Sequence, residues 1–400
     1  MRKFMILALG TVLGVYASSQ AVAAADQVVI GDIDDMSSVY ADVIGQGGLE
    51  AINMAIADFG GTVLGKKITV LSVDHQNKPD IGASKFREWA DQNGLTVVLG
   101  GSNTGVSIAM SKVAAAKKIN FFAIGAGGAS LTGVDCTPYT VHYAYDTTAL
   151  GNGTASAIVK EGGKSWFFVT ADYAFGTQLQ EAATRVVLAN GGKVVGAVRA
   201  PLGTTDYSSF LLQAQSSGAQ VLGLANAGTD FSNSLKAADE FGITKTMKPA
   251  ALLAFLTDIH ALTLQTAQGL YLTTGWYWDL NDETRAFAKR FYAKVNRQPT
   301  MNQTAYYSAT IQYLKAVKAV GSTDADAVMA QLKKTKINDV FAKDGYIRAD
   351  GLMVHTMYVM QVKKPAESKY PWDYYKVVKV MSGEEADGAQ PDPSCPLVKK

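Results

Sequence analysis

The sequence predicts an α/β protein of two Rossmann-like lobes, each on a mostly parallel sheet, and three observations carry that prediction. Short β-rich runs alternate with amphipathic stretches from Gln27 onward, the signature of βαβ units. The alternation occurs twice, with a fresh series after Asp146. The chain's 400 residues also exceed what one ordinary domain of roughly 100–200 residues takes. No short-period repeat is present, which argues against solenoids and propellers.

The first residues stand apart from this pattern. Arg2 and Lys3 give a basic start, Phe4 to Tyr16 an apolar stretch, and Ala21, Ala23, Ala24 and Ala25 the small residues a signal peptidase requires. Residues 1–25 therefore read as an export signal, cut before Ala24 or Asp26. The alternative is a membrane anchor, but the apolar stretch is shorter than the roughly 20 residues that span a bilayer. No later segment could span one either.

Val28 to Ile33 reads as the first strand, and the helix after it carries Leu49, Ile52, Ile56 and Phe59 at helical spacing before Gly60-Gly61 ends it. Strands recur at Lys67 to Val73, Leu95 to Leu99 and Ile119 to Ile124, each preceded by a helix-period stretch. The second series has strands at Ser165 to Thr170, Lys193 to Val198, Gln220 to Ala225, Pro249 to Leu253 and Gly269 to Thr274. Among its helices, Gln178 to Ala189 closes on Asn190-Gly191-Gly192, a C-cap signal. Helices follow at Asp282 to Asn296, Thr304 to Val320 and Asp324 to Lys334. Gly345 to Lys363 and Tyr374 to Val380 then alternate as antiparallel strands do. The tail, residues 383–400, is rich in Pro, Asp and Gly and is expected to lack structure except where Cys395 holds it.

Charge and cysteine content narrow the function classes. Without Arg2 and Lys3, 35 basic residues balance 35 acidic ones, so there is no electrostatic case for nucleic acid or anionic lipid as a partner. Cys136 and Cys395 are the only cysteines, and in an oxidising compartment they read as a disulfide tying the tail to the body. Two buried thiols are the alternative. There is no CxxC, and the four histidines are scattered without metal-ligand spacing, so no metal and no cofactor is expected. A GxSxG elbow, a Walker A lysine loop and a GxGxxG opening a helix in the first βαβ unit are all missing, and no nucleophile and base pair is evident.

In open parallel sheets ligands lie beyond the carboxyl ends of the strands. That rule selects Asp34 to Tyr40 after the first strand, Gly101-Ser102-Asn103-Thr104 after the third, and Gly125-Ala126-Gly127-Gly128 after the fourth. Ser102, Asn103 and Thr104 would open a helix, where free N–H groups and the helix dipole favour a carboxylate, although such residues are also routine N-caps. The second series offers Asp172-Tyr173-Ala174-Phe175, Asn226-Ala227, Ala254-Phe255 and Gly275-Trp276-Tyr277-Trp278. Hydroxyls, amides and aromatics with few charges suit holding a small organic acid better than breaking its bonds.

At these residues the chain resembles the periplasmic binding proteins of the branched-chain amino acid type. The likeness rests on the order and spacing of Asp35-Met36-Ser37-Ser38-Val39-Tyr40, Ser102-Asn103-Thr104, Gly125 to Thr132, Asp172 to Gly176, Asp206 to Phe210 and Gly345 to Gly351. It implies a type I periplasmic binding protein, two lobes joined by a three-crossover hinge near Tyr143 to Asp146, Gly275 to Asp279 and Met353 to Tyr358. Lobe 1 is then 26–144 with 278–354, and lobe 2 is 145–277 with 355–382. The resemblance further implies that Ser102, Thr104 and Ala126 hold a carboxylate, that Tyr173 or Phe175 is an aromatic wall, and that Asp146 meets an ammonium group. Tyr40, Asn103, Gly127, Asn226, Phe255 and Trp276 complete the candidate ligand-binding set.

One departure bears on the solute. Amino-acid-binding members place an acid in the loop that here reads Ala254-Phe255-Leu256-Thr257, so a second partner for an ammonium group is missing. This points to an aromatic or keto acid, with amino acids as the alternative. The implied function is capture of a small solute by hinge closure, by a monomer without enzymatic activity that serves an inner-membrane ABC permease. A solute-sensing subunit of similar fold is the runner-up, and a secreted hydrolase the least favoured reading.

Overall fold

The computed structural model of the chain describes residues 27–398, so the expected export segment lies outside the described residues. The first sheet contains β1 (Gln27–Asp34), β2 (Thr62–Val63), β3 (Lys66–Asp74), β4 (Leu95–Gly100), β5 (Asn120–Ala123) and β6 (Thr140–His142). Their spatial order is β2-β3-β1-β4-β5-β6, parallel throughout except for the short β2–β3 pairing. β1 is buried at every position after Gln27, as a central strand covered on both faces must be. The helices α1 (Gly45–Phe59), α2 (Pro79–Gln92) and α3 (Thr104–Lys117) make the crossovers, and α1 stops at Gly60 in the left-handed region, φ 99°.

α4 (Thr147–Leu150) and α5 (Ser156–Lys160) lead into the second lobe. There β7 (Ser165–Ala171), β8 (Lys193–Ala200), β9 (Val221–Ala225) and β10 (Lys248–Ala251) form a parallel sheet in the order β10-β9-β7-β8. α6 (Ala174–Ala189), α7 (Ser208–Ser216) and α8 (Thr229–Glu240) connect these strands, and α9 (Leu256–Ala267) leads on to β11 (Tyr271–Thr274). The chain then returns to the first lobe with α10 (Asp282–Val295), α11 (Met301–Val320) and α12 (Ala325–Lys334). A hairpin of β12 (Tyr346–Ile347) and β13 (Met353–Val354) follows. α10 and α11 pack on α1, and α12 on β5. β14 (Met357–Val362) and β15 (Tyr375–Met381) lie once more in the second lobe.

Two features differ from the sequence reading. β11 does not extend the parallel series: it pairs antiparallel with β14, which pairs with β15. Gly269, at φ 80°, turns the chain so that its N–H reaches the Val362 carbonyl at 2.9 Å, which sets β11 beside a strand arriving from the other lobe. The tail is also ordered beyond expectation, because Gly383–Asp387 forms a short helix, α13. The Ser382 hydroxyl caps it by accepting the Glu385 N–H, and the Asn152 amide donates to the carbonyl of buried Ala386. Composition is a poor guide where one cap and one buried side chain suffice. Cys136 and Cys395 are bonded to each other.

The chain passes between the lobes through residues 143–146, 275–281 and 355–356. Tyr143, Tyr145 and Trp276 lie there within one apolar core continuous through both halves. Among the described residues no helix is long and apolar enough to cross a membrane.

Candidate functional site

The carboxyl ends of β1, β4 and β5 face those of β7, β9 and β10 across a narrow cavity of about 10 Å³. Seven of the expected residues line it: Tyr40, Ser102, Thr104, Gly127, Tyr173, Phe175 and Phe255.

Local chemistry places each of them. The Asp35 carboxylate accepts the N–H groups of Ser38 and Tyr40, each at 2.9 Å, and the Asn77 amide at 2.7 Å. It thereby folds residues 35–40 into a turn that aims Tyr40 across the cleft. The hydroxyls of Tyr40 and Tyr173 hydrogen-bond to each other, one from each lobe. Burial raises both phenols well above their ordinary range, and their proximity adds to the rise for Tyr40. Gly127 is required by close approach, since a Cβ there would lie 2.8 Å from the Phe175 ring and 3.0 Å from that of Tyr145.

The hydroxyls of Ser102 and Thr104 are oriented by what they accept. Thr104 Oγ1 accepts the Gly128 N–H at 3.0 Å, leaving its own hydrogen free. Ser102 Oγ accepts the Asp35 N–H at 3.1 Å and lies 3.1 Å from His75 Nε2. This is a hydroxyl–imidazole pair that sequence spacing did not reveal. His75 Nδ1 accepts the Asn77 N–H at 3.0 Å, so the ring hydrogen sits on Nε2 and donates to Ser102. Burial holds His75 down at about 4, against the opposing charges of Asp35 and Asp74. An imidazole in that tautomer is a donor to the hydroxyl, the reverse of what a general base must be. The N–H groups of Gly125, Ala126 and Gly127 meet no acceptor among the described residues.

The remaining expected residues lie outside the cavity. The Asn103 side chain is spent capping α3, accepting the N–H groups of Gly105 and Val106. Ala126 turns its carbonyl away to His142 Nε2 at 2.6 Å, while its neighbours on both sides line the cavity. Asp146 caps α4 through the Ala149 N–H at 2.8 Å and lies beside Asp387, outside the cavity lining. The Asn226 amide donates to Ser234 Oγ, and Ala227 takes its place in the lining. The indole N–H of Trp276 goes to the Val340 carbonyl at 2.9 Å, on the far side of its crossover.

The candidate set left out seven further lining residues, Val43, Ile44, Gly125, Tyr145, Ala227, Leu253 and Asn302. Gly125 and Ala227 lie within the selected strand-end segments and Leu253 ends an expected strand, whereas Asn302 comes from the first turn of α11, which no strand-end rule reaches. None of the lining residues is charged. Asp230, pushed up to about 6 by burial, accepts the Gly203 N–H behind the tyrosine pair. Asp258, pushed up to about 8 by burial, accepts the Phe255 N–H at 2.9 Å.

Further contacts join the lobes. The Thr229 N–H donates to the Val39 carbonyl at 3.2 Å. Its neighbour Gly228, at φ 61°, packs so closely on that carbonyl that a side chain would collide with it. The Gln178 amide oxygen accepts the Ser130 N–H at 2.9 Å, and its nitrogen donates to Ser130 Oγ at 3.1 Å. The lobes are therefore closed on one another.

Comparison with known proteins agrees with this geometry. A periplasmic binding protein from Burkholderia mallei is 61% identical, covers 94% of this chain and 100% of its own, and superposes with a TM-score of 0.92. A branched chain amino acid ABC transporter periplasmic ligand-binding protein from Burkholderia xenovorans LB400 is 40% identical, with 90% and 97% covered and a TM-score of 0.81. Leu/Ile/Val-binding protein homolog 6 of Brucella abortus is 26% identical over 211 residues; the match spans 52% of this chain and about half, 53%, of that relative. The relatives are solute-binding proteins rather than enzymes. Residues 27–369 match the sequence model of the periplasmic binding protein family, and by fold, cleft and sequence the chain belongs to that family.

Proposed function

We propose that the protein is the periplasmic substrate-binding component of an ABC importer, exported after removal of residues 1–25, which closes over a small carboxylate-bearing solute and carries it to an inner-membrane permease. The observation that carries the solute class is the uncharged lining of the cavity. Oriented hydroxyl hydrogens on Ser102 and Thr104, with the N–H groups of residues 125–127, supply donors for a carboxylate. An ammonium group would find no carboxylate in return, and an unpaired buried charge costs several kcal/mol. Tyr40, Tyr173, Phe175 and Phe255 favour a flat or apolar body.

A thermal-shift screen followed by calorimetry on the mature chain tests this. Small aromatic or short-chain carboxylic acids are expected to raise the melting temperature, and leucine and valine to leave it unmoved. Tight binding of leucine with no response to any simple acid overturns the proposal.

A further inference from the structure

We infer that the guest carries an uncharged hydroxyl group besides its carboxylate, and that Asn302 reads it. This rests on the reading of the cavity as a carboxylate site and narrows that reading to hydroxy acids.

Asn302 is wholly buried, and it lines the cavity. Its amide lies beside the Tyr145 hydroxyl and limits the rise of that phenol. Even so, neither its oxygen nor its nitrogen has hydrogen-bond geometry to any group among the described residues. The Tyr145 hydroxyl is already committed as a donor to the Gly125 carbonyl at 2.8 Å.

The position is fixed by the residues around it. Thr300 and Gln303 cap the start of α11 reciprocally. The Thr300 hydroxyl donates to the Val43 carbonyl at 2.8 Å, and the Gln303 amide to the Ile44 carbonyl at 3.3 Å. One turn later the Tyr306 hydroxyl bonds Asp34. The first turn of α11 is thus bolted to the segment entering α1, and Asn302 is presented to the same space that Val43 and Ile44 line.

The oxygen of Asn302 decides the class of guest. An amide nitrogen can serve a carboxylate, a ketone or a hydroxyl, but an amide oxygen accepts only from a donor. A carboxylate or a keto group has no hydrogen to give. An ammonium group has, but the lining holds no acid to balance its charge. A neutral N–H or a hydroxyl satisfies the oxygen without adding charge, and of the two only the hydroxyl also accepts from the amide nitrogen. Because the Tyr145 hydrogen goes to the Gly125 carbonyl, the amide atom facing that hydroxyl is assigned as the donor nitrogen, and the oxygen is the atom left without a partner.

Calorimetry on the mature chain with matched acids tests the inference: 3-hydroxybutyrate against butyrate and acetoacetate, and 4-hydroxybenzoate against benzoate. In the wild type at least one hydroxy acid is expected to bind about tenfold or more tightly than its matched acids, since a site built for a hydroxyl rejects the analogue lacking it. In Asn302→Leu the preference is expected to shrink to about threefold or less. Asn302→Ala serves as the second variant, with far-ultraviolet circular dichroism to report folding. Equal affinities within the pairs, or a preference that survives either folded variant, overturn the inference and leave the carboxylate site standing. If the wild type binds none of these acids, the carboxylate reading itself falls.

Discussion

His75 Nε2 lies 3.1 Å from the hydroxyl of Ser102, and the imidazole is the donor of that contact. Both residues are buried, and Ser102 also accepts the Asp35 N–H. With its lone pairs engaged, the serine has its own hydrogen left to point into the cavity.

His75→Ala is therefore expected to weaken carboxylate binding by about 1–2 kcal/mol, although His75 itself does not line the cavity. Ser102→Ala is expected to lose a similar amount. Because the first residue acts through the second, the double variant should lose no more than Ser102→Ala alone. Calorimetric affinities for the four proteins give the coupling, and strictly additive losses show that His75 does not orient the hydroxyl.

Asp258 gives a pH signature. Burial raises its folded value to about 8 from an unfolded value of 3.8, so between those limits the folded chain holds a proton the unfolded chain has shed. Its contribution to stability is fully present below about 4 and is lost as pH rises through about 8. Each unit of such a shift corresponds to about 1.4 kcal/mol. Asp258→Asn keeps an acceptor for the Phe255 N–H and removes the titration. The variant is expected to exceed the wild type in melting temperature by a small margin at pH 5 and by a much larger one at pH 9. An equal difference at both values would mean that Asp258 does not titrate in this range.

Gln178 links the lobes away from the cavity through its two bonds to Ser130. Those bonds exist only in the closed arrangement, so Gln178→Ala should bias the chain toward opening without touching the guest. Affinity for any bound acid is expected to fall by about 1–2 kcal/mol, mainly through faster dissociation. Surface plasmon resonance separates the rates. A loss confined to the association rate would contradict the latch.

Much of the fold was legible because burial writes itself into periodicity. β1 opens on the apolar run Val28 to Ile30 since it is covered on both faces, and α6 stops where Asn190-Gly191-Gly192 begins. The partner of β11 was not legible, because its ladder is made with β14 across the 82 residues between Thr274 and Met357, in a register that no local signal specifies. Within the site, residues following strands were found and those entering from elsewhere were not. Tyr145 arrives on a crossover and Asn302 on a helix start. Asn103 and Asp146 lie outside the cavity lining and cap α3 and α4 instead, since a polar side chain at a helix start is as often occupied with its own backbone as with a guest.

The bond between Cys136 and Cys395 fastens the last residues to the first lobe, past a short helix that rests on elements of both. Such a bond forms in an oxidising environment and is rare in a reducing one. The thiol state of the isolated chain is consequently a record of its itinerary. Beyond the loss of residues 1–25, material matured outside the cytoplasm should weigh two hydrogens less than material trapped within it, and intact-mass measurement before and after reduction would tell the two populations apart without knowledge of any solute.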